Sequence, residues 1–259
     1  MRVAVSQISS TTDPRSNLEL VRDAVRRAEG ARVVVLPEAT MCRFGVPLGP
    51  VAEPLDGPWA SAVHEIAVQH DVVVVAGMFT PSGDRVMNTL LVTGPDIHIG
   101  YDKIHLFDAF GFQESRTVAH GSEVVTFEID GVTLGVATCY DIRFPELFRA
   151  LADKGASAVL VSASWGAGAG KKEQWELLVR ARALDCTFFV VACGQAYPGD
   201  LGVVAPTGIG YSTVADPFGK VVVQLSEQPS DTIVDLDLDS VARAREVLPV
   251  LANRRLTSS

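Results

Sequence analysis

The alternation of Val-rich apolar runs with amphipathic helical patterns limits the fold of this chain more than any other feature. Residues 32–36 are too apolar for a half-exposed strand, which indicates a strand buried on both faces. Residues 17–28 instead place Leu18, Val21 and Val25 on one face of a helix. Strands joined by helical crossovers, together with adjacent strand pairs, predict buried sheets covered by helices. The expected fold class is therefore α/β.

The same rhythm continues to the end of the chain. Predicted strands cover residues 2–8, 32–36, 72–79, 87–93, 124–129, 132–138, 158–161, 188–192 and 210–215, with a final pair at 221–225 and 232–236. Predicted helices cover residues 17–28, 59–70, 146–153, 173–184 and 237–245. Because the second half repeats the rhythm of the first, the pattern favours two layered sheets. The sequence has no linker or low-complexity tract, so we expect one domain over residues 1–259.

Composition and charge exclude several classes of protein. The chain is 47% hydrophobic, which is ample apolar surface to offset chain entropy and excludes disorder. The longest uncharged stretches, residues 155–170 and 201–215, are shorter than the ~18 apolar residues that a membrane-spanning helix needs. The formal net charge is −9, whereas nucleic-acid binders usually carry a basic face. We therefore expect neither a membrane nor a nucleic acid as a partner.

The cysteines and the glycine-rich segment argue against a disulfide framework and against cofactors. The chain enters a strand pattern at once without a signal peptide, and its cysteines stand at irregular spacings, so we expect reduced thiols and a cytoplasmic protein. No metal-ligand spacing occurs. Residues 166–170 (GAGAG) lack the Lys and Ser/Thr of a phosphate-binding loop. The expectation is an enzyme or binding protein with no cofactor and no metal. The cysteines are Cys42, Cys139, Cys186 and Cys193.

An acid and a thiol follow two of the predicted strands. Glu38 comes after residues 33–37, and Cys139 comes after residues 132–138. In open α/β sheets, functional groups collect at the carboxyl ends of the strands, so these two side chains could share a site. The alternative for Cys139 is a core position, because free cysteine is among the most buried residue types.

Three motifs around these positions resemble the nitrilase superfamily of carbon–nitrogen hydrolases and follow in that family's order. They are residues 35–39 (VLPEA), 101–107 (YDKIHLF) and 138–146 (TCYDIRFPE). Residues 112–115 (FQES) and 180–183 (RARA) add supporting matches, so the resemblance covers nearly the whole chain. It implies a four-layer α-β-β-α sandwich. It also implies a homodimer or higher homo-oligomer joined through outer helices, with residues ~240–259 as a C-terminal tail that reaches across an oligomer interface.

The resemblance also implies a Glu-Lys-Cys triad of Glu38, Lys103 and Cys139. Cys139 would attack an amide carbonyl, and Glu38 would take the thiol proton, pass it to departing ammonia and activate water against the thioester. Lys103 and the backbone N–H of Tyr140 would stabilise the oxyanion, where one donor is typically worth ~3–4 kcal/mol. These residues supply the nucleophile, proton shuttle and oxyanion stabiliser that amide hydrolysis needs.

Three further residues each have two alternative roles. Glu114 resembles a second glutamate that lies beside the family's lysine, with a surface salt bridge as the alternative. Arg143 either clamps a substrate carboxylate, for which its bidentate fork is suited, or holds the nucleophile turn together with Glu146. Trp165 either lines the pocket and contacts substrate or packs in the core. Residues 43–57 and 195–210, rich in Gly and Pro, are expected to form the rim.

Within the family, residues 139–146 (CYDIRFPE) look most like the ω-amidase and deaminated-glutathione amidase branches. This likeness predicts hydrolysis of the terminal amide of a small carboxylate-bearing substrate to acid and ammonia. A nitrilase or an N-carbamoyl hydrolase would use the same triad. Two other classes stay open: a thiol hydrolase that pairs Cys139 with His105 or His120, and a non-catalytic small-molecule-binding member.

Overall fold

The computed structural model describes residues 1–256 of the chain. Its strands are β1 (Arg2–Gln7), β2 (Val33–Val35), β3 (Val73–Ser82), β4 (Arg85–Gly94), β5 (Ile97–Asp102), β6 (Asp108–Ala109), β7 (Phe112–Gln113), β8 (Val118–Ala119), β9 (Thr126–Ile129), β10 (Val132–Thr138), β11 (Ala158–Ala163), β12 (Phe189–Gly194), β13 (Thr213–Ala215), β14 (Val221–Gln224) and β15 (Ser230–Asp235). Its α-helices are α1 (Pro14–Arg27), α2 (Pro58–Gln69), α3 (Pro145–Asp153), α4 (Lys171–Cys186) and α5 (Asp239–Val247). Short 3-10 turns cover Gly49–Val51, Glu114–Arg116 and Cys139–Arg143.

The strands form two large sheets with the same plan. The first has the order β15-β1-β2-β3-β4-β5, with β8 added beside β4, and the second has the order β14-β13-β12-β11-β10-β9. In each sheet the central strands are parallel, β1-β2-β3 in the first and β10-β11-β12 in the second. Antiparallel strands flank both centres. Strands β6 and β7 form a separate small hairpin.

Side-chain burial defines the layers. One core lies between the two sheets and combines, for example, Val35 and Leu90 of the first with Val136 and Leu160 of the second. A second core packs α1 and α2 on the outer face of the first sheet, and a third packs α3 and α4 on the outer face of the second. This is the predicted four-layer α-β-β-α sandwich.

Local chemistry explains where the helices begin. The Asp13 carboxylate accepts the backbone N–H groups of Arg15 and Ser16, so α1 starts at Pro14, three residues earlier than the apolar pattern predicts. Proline also opens α2 at Pro58 and α3 at Pro145, where its missing N–H costs no helical hydrogen bond. The helix positions that hydrophobic periodicity predicts are otherwise close to those observed.

Three strand predictions are wrong in detail. Strand β5 (Ile97–Asp102) is absent from the prediction, because its half-exposed alternation is interrupted by Gly100. The strand expected over residues 210–215 begins only at Thr213, since Gly210 and Tyr211 have φ values of 75° and 56°, outside the strand region. The predicted final pair does not pair: β14 lies beside β13 in one sheet, and β15 lies beside β1 in the other. Periodicity identifies a strand but not the sheet to which that strand belongs.

The described part of the C-terminal tail folds back on its own chain. It contains most of α5, and the Arg245 guanidinium donates to the Ala156 carbonyl at 2.9 Å, while Arg254 pairs with Asp153 on α3. The expected role of residues ~240–259 at an oligomer interface stays a prediction, and residues 257–259 lie outside the described part.

Among residues 1–256, no helix is both long enough and apolar enough to cross a bilayer.

Candidate active site

Glu38 lies just beyond the carboxyl end of β2, between the two sheets. Both carboxylate oxygens are bonded: Oε1 accepts from Asn88 Nδ2 at 2.7 Å, and Oε2 accepts the backbone N–H of Ser164 at 2.7 Å. The side chain is 1% exposed. Ser164 follows β11, so the second sheet helps to orient a carboxylate carried by the first. Glu38 is therefore a buried, hydrogen-bonded carboxylate.

A glycine on the neighbouring strand permits this position. A Cβ at Gly77 in β3 would lie 2.3 Å from the backbone nitrogen of Ala39 and 2.8 Å from the Cα of Glu38. The segment runs close beside this strand, and Ala39 within it takes a φ of 58°, which is uncommon for a residue with a side chain. The Gly77 N–H donates to the Pro37 carbonyl at 3.1 Å, which holds the segment against the strand.

A buried ion cluster surrounds Lys103, which follows β5. Its ammonium bonds Glu38 Oε1 at 2.9 Å and Glu114 Oε2 at 2.8 Å, and all three side chains are at most 2% exposed. Asn88 Nδ2 bridges the same carboxylates, bonding Glu114 Oε1 at 2.9 Å. The backbone N–H of Phe107 adds a 2.7 Å bond to Glu114 Oε2. Glu114 is therefore a member of a buried network rather than of a surface salt bridge.

Cys139 is the first residue of the 3-10 turn that directly follows β10. Its φ of 48° is uncommon for a residue with a side chain and marks a constrained backbone position. Asp141 holds the turn, because its buried carboxylate accepts the Thr138 backbone N–H at 2.9 Å, the Tyr101 hydroxyl at 2.7 Å and the His105 backbone N–H at 3.0 Å. The thiol segment and the lysine segment are thereby tied together.

The pKa values of Glu38, Cys139 and Lys103 are all shifted upward. Burial is the largest effect on Glu38 and raises its pKa, against the charge of Lys103. Burial also raises the pKa of the Cys139 thiol well above its usual value, and the charge and hydrogen bond of Glu38 raise it further. Burial alone would lower the pKa of Lys103, but the charges of Glu114 and Glu38 outweigh it and hold that pKa well above its usual value. These directions favour a protonated thiol and a charged ammonium, and they make the Glu38 carboxylate a stronger base than an exposed one.

All seven residues that the sequence analysis assigns to the site line one cavity. The seven are Glu38, Lys103, Glu114, Cys139, Tyr140, Arg143 and Trp165. The two glycine- and proline-rich segments contribute Phe44 and Pro206 to the same wall, as expected of a rim.

The surroundings of Arg143 fit both roles considered for it, a contact with the substrate and a structural contact. Its Nη2 donates to Gln174 Oε1 on α4 at 2.6 Å, and its guanidinium lies 5.0 Å from the centre of the Trp165 ring, so it helps to join the nucleophile turn to α4. Its buried Nε has no hydrogen-bond partner among the described residues. Trp165 is 4% exposed and packs on Trp175 while its edge lines the cavity, so packing and lining coexist.

Neither histidine considered as a partner for Cys139 is among the described residues that line the cavity. His105 Nδ1 bonds Asp141 Oδ1 at 2.8 Å and its ring stacks on Phe144, and His120 Nδ1 bonds the Gly121 carbonyl. The geometry therefore disfavours a Cys–His pair. Residues 1–256 contain no group of three or more side chains placed to hold a metal ion.

Sequence reasoning missed four contributors to the site: Asn88, Asp141, Ser164 and Lys171. Ser164 acts through its backbone, which no residue type reveals, and Asn88 sits inside β4, where nothing in its neighbours marks it. Asp141 lies in the nucleophile motif, and its position two residues after Cys139 was a usable signal. Lys171 opens α4 beside the glycine-rich segment and lines the cavity.

A four-layer sandwich with a buried carboxylate, ammonium and thiol in one cavity defines a class of hydrolase, and a family comparison identifies it. The carbon–nitrogen hydrolase family model matches residues 2–246. The chain belongs to that family, within the nitrilase superfamily.

Individual relatives agree with the family. "Hydrolase Rv0480c" of Mycobacterium tuberculosis is 55% identical over 98% of this chain and 95% of its own length. The "Deaminated glutathione amidase" of Escherichia coli O157:H7 is 34% identical, covering 98% and 97%, and the "Omega-amidase NIT2" of Mus musculus is 32% identical, covering 98% and 95%. The solved structure of XC1258 from Xanthomonas campestris, a CN-hydrolase superfamily protein with an arsenic adduct in its active site, superposes with a TM-score of 0.89 at 26% identity, covering 100% and 98%.

Proposed function

We propose that this chain is a cysteine-dependent amidase that hydrolyses the terminal amide of a small carboxylate-bearing substrate to acid and ammonia through a thioester. The observation that carries the proposal is the Glu38 carboxylate, which is bonded to the Lys103 ammonium and lines the same cavity as Cys139. A base, a cation and a nucleophile that line one cavity are the groups that acyl transfer requires.

The first half-reaction is attack of Cys139 Sγ on the amide carbonyl carbon. Because the thiol pKa is raised, the proton moves to Glu38 as the carbon–sulfur bond forms, rather than beforehand. The raised pKa of Glu38 makes its carboxylate a stronger base for this step. The tetrahedral intermediate then collapses, the carbon–nitrogen bond breaks, and Glu38 delivers the proton to the departing ammonia.

Charge on the carbonyl oxygen is stabilised by two groups. The Lys103 ammonium remains charged throughout, since its pKa is well above the usual value. Tyr140 lies in the first turn of the 3-10 segment, where backbone N–H groups have no acceptor within the turn. Donors placed in advance in a dry cavity stabilise an oxyanion by ~3–4 kcal/mol each.

The second half-reaction is hydrolysis of the thioester. Glu38 takes a proton from water, the hydroxide oxygen attacks the thioester carbon, and the carbon–sulfur bond breaks. The proton on Glu38 returns to the Cys139 sulfur, so the enzyme is regenerated and the acid leaves. Glu114 and Asn88 are positioning residues in this scheme, because they hold Lys103 and Glu38 without contacting the reacting atoms.

The substrate assignment draws on Arg143 and Trp165. A guanidinium with a free buried Nε suits a carboxylate on the substrate, and the Trp165 ring provides an apolar wall beside it. The names of the relatives, a deaminated glutathione amidase and an omega-amidase, support the same substrate class.

Ammonia release tests the proposal directly. Purified protein is assayed with α-ketoglutaramate, succinamate, deaminated glutathione and simple aliphatic amides, beside Cys139→Ala. A second buried cysteine outside the cavity, Cys42, provides the matched control Cys42→Ala. We expect release that Cys139→Ala abolishes and Cys42→Ala retains. Turnover of nitriles alone, or carbon dioxide released with ammonia from carbamoyl compounds, would reassign the chain as a nitrilase or an N-carbamoyl hydrolase. Folded protein that converts none of these would favour a non-catalytic binding member.

We also propose a homo-oligomer in the cytoplasm, with one domain per chain. Leu177 and Leu184 on α4 are 65% and 42% exposed, and Phe218 and Val222 are 48% and 47% exposed, so the chain has exposed apolar side chains suited to contact with a second copy. The buried, unpaired cysteines agree with a reducing compartment. Sedimentation of the protein and of Leu177→Glu tests the assembly: we expect a dimer or larger species that the added charge dissociates.

A further inference from the structure

Lys171 places an ammonium at the wall of the catalytic cavity. It is the first residue of α4 and is 7% exposed. Its Nζ lies 3.4 Å from the centre of the Phe110 ring and 5.2 Å from that of Phe107. Burial lowers its pKa, and the nearby charge of Arg143 lowers it further. The residue is a buried cation within the substrate cavity, and the mechanism above does not use it.

No carboxylate neutralises this ammonium within residues 1–256. Lys103 in the same cavity bonds two carboxylates, and Lys172 next in sequence pairs with Glu176, but no described carboxylate lies within 4.0 Å of Lys171 Nζ. Burying an unpaired charge is costly. Contact with aromatic faces offsets only part of that cost. A negatively charged ligand would complete the environment.

Arg143 is also without a carboxylate. Its Nη2 bonds a neutral amide oxygen, and its buried Nε has no partner in the described chain. The cavity therefore contains the carboxylates of Glu38 and Glu114 against the cations of Lys103, Arg143 and Lys171. This local excess of positive charge stands out in a chain whose net charge is −9 and whose overall field repels anions.

Lys171 also lines an adjoining outer cleft, so a ligand can reach it from solvent. The cleft shares Phe107, Phe112 and Lys171 with the catalytic cavity, and residues 199–201 and 203–207 form much of its other wall. Phe110, which covers the ammonium, is 69% exposed. The Lys171 side chain borders both the cavity and the cleft. Its ammonium can therefore move from the exposed Phe110 ring to a bound ligand without disturbing the core.

We propose that Lys171 is a specificity-determining residue whose ammonium, together with Arg143, binds the carboxylate of the amide substrate at the boundary of the two spaces. The inference rests on the proposed function and deepens it by assigning a second cation to the substrate. Two cations of different geometry bind one carboxylate from two directions: the guanidinium offers a planar fork, and the ammonium is a movable point charge. An uncharged amide of the same length gains nothing from either.

Binding to a protein that cannot turn over substrate tests this inference without relying on catalysis. Full-length Cys139→Ala protein is titrated by calorimetry with succinamate and with butanamide, its uncharged counterpart of equal chain length. We expect succinamate to bind more tightly. Lys171→Met should reduce this preference on the order of 10- to 100-fold, the effect of losing one charged hydrogen bond. Lys171→Arg should restore most of it.

Lys172→Met is the matched control, because it removes a neighbouring, half-exposed lysine outside the cavity and should leave the preference unchanged. Lys171→Gln serves in place of the Met variant if that protein is unfolded by circular dichroism. Equal weakening of both probes would make Lys171 a packing residue and overturn the inference, as would an unchanged preference or binding of neither probe. A third outcome separates the two proposals: the preference for succinamate is lost in Lys171→Met, but the native protein hydrolyses no amide. The proposed function would then be wrong, whereas the carboxylate-binding role of Lys171 would be confirmed.

Discussion

Glu38 and Ser164 follow strands of different sheets, and the backbone N–H of Ser164 donates to Glu38 Oε2 over 2.7 Å. The other carboxylate oxygen is held by Asn88 and Lys103. The carboxylate therefore cannot rotate freely, and its orientation depends on the two sheets packing together. The candidate base is assembled by the sandwich rather than by the loop that carries it.

Replacement of Glu38 by Gln should keep the shape of this group while removing the base. We expect kcat for ammonia release to fall by about 10²–10⁴-fold, the usual contribution of a general base. The negative charge of Glu38 raises the pKa of Cys139, so Glu38→Gln should also lower that pKa, as measured from the thiolate absorbance at 240 nm. Glu65→Gln, on the exposed face of α2, is the control and should change neither quantity. A thiol pKa that stays constant or rises in Glu38→Gln would contradict the charge effect of Glu38 on Cys139.

Neutralising Glu114 should shift the pH profile in a defined direction. The negative charge of Glu114 raises the pKa of Glu38. In Glu114→Gln that effect is lost while the Lys103 charge remains, so the pKa of Glu38 falls. Glu38 then stays ionised to lower pH, and the acidic limb of the kcat/KM profile should move downward. Glu123→Gln at an exposed position should leave the limb in place. A limb that moved upward in Glu114→Gln would show that Glu114 does not act on Glu38 through its charge.

Gly77 should tolerate no side chain. A Cβ added at Gly77 would lie 2.3 Å from the backbone nitrogen of Ala39. The nearest atoms all belong to the backbone, so the segment that carries Glu38 must move. We expect Gly77→Ala to lower the free energy of unfolding by about 1–3 kcal/mol and to reduce kcat. Gly49→Ala is the matched comparison, because no atom lies within 4 Å of its added Cβ, and its change should stay within about 0.5 kcal/mol. Both are measured by urea unfolding, and equal stabilities would refute the close approach.

Asp141 should matter more for stability than an exposed aspartate with an ion pair. Its carboxylate accepts from donors on Tyr101, His105 and Thr138, so Asp141→Asn would turn an amide N–H toward existing donors. We expect a loss of about 2–3 kcal/mol. Asp130→Asn removes an exposed pair with Arg32 and should cost at most about 1 kcal/mol. Guanidinium chloride unfolding compares them, and a similar cost for both would contradict the assigned role of Asp141.

Strong periodicity made much of the fold predictable. Strand β10 has the predicted bounds, residues 132–138, because its apolar run ends at the start of the nucleophile motif. Strand β5 was missed because Gly100 interrupts its pattern and half of its surface is exposed. The pairing of β14 with β13 and of β15 with β1 was also missed, since an apolar repeat does not encode the neighbouring strand with which a strand pairs.

The sequence alone determined the layered α/β class and the segments that carry Glu38, Lys103 and Cys139, because hydrophobic periodicity and short motifs are local properties of the chain. Only the tertiary structure decided that Asn88, the Ser164 N–H and Lys171 join them. It also decided the pKa directions, because desolvation and charge–charge interactions depend on distances between residues far apart in sequence. Local patterns specify which groups are present, whereas the packing of two sheets specifies which of them meet.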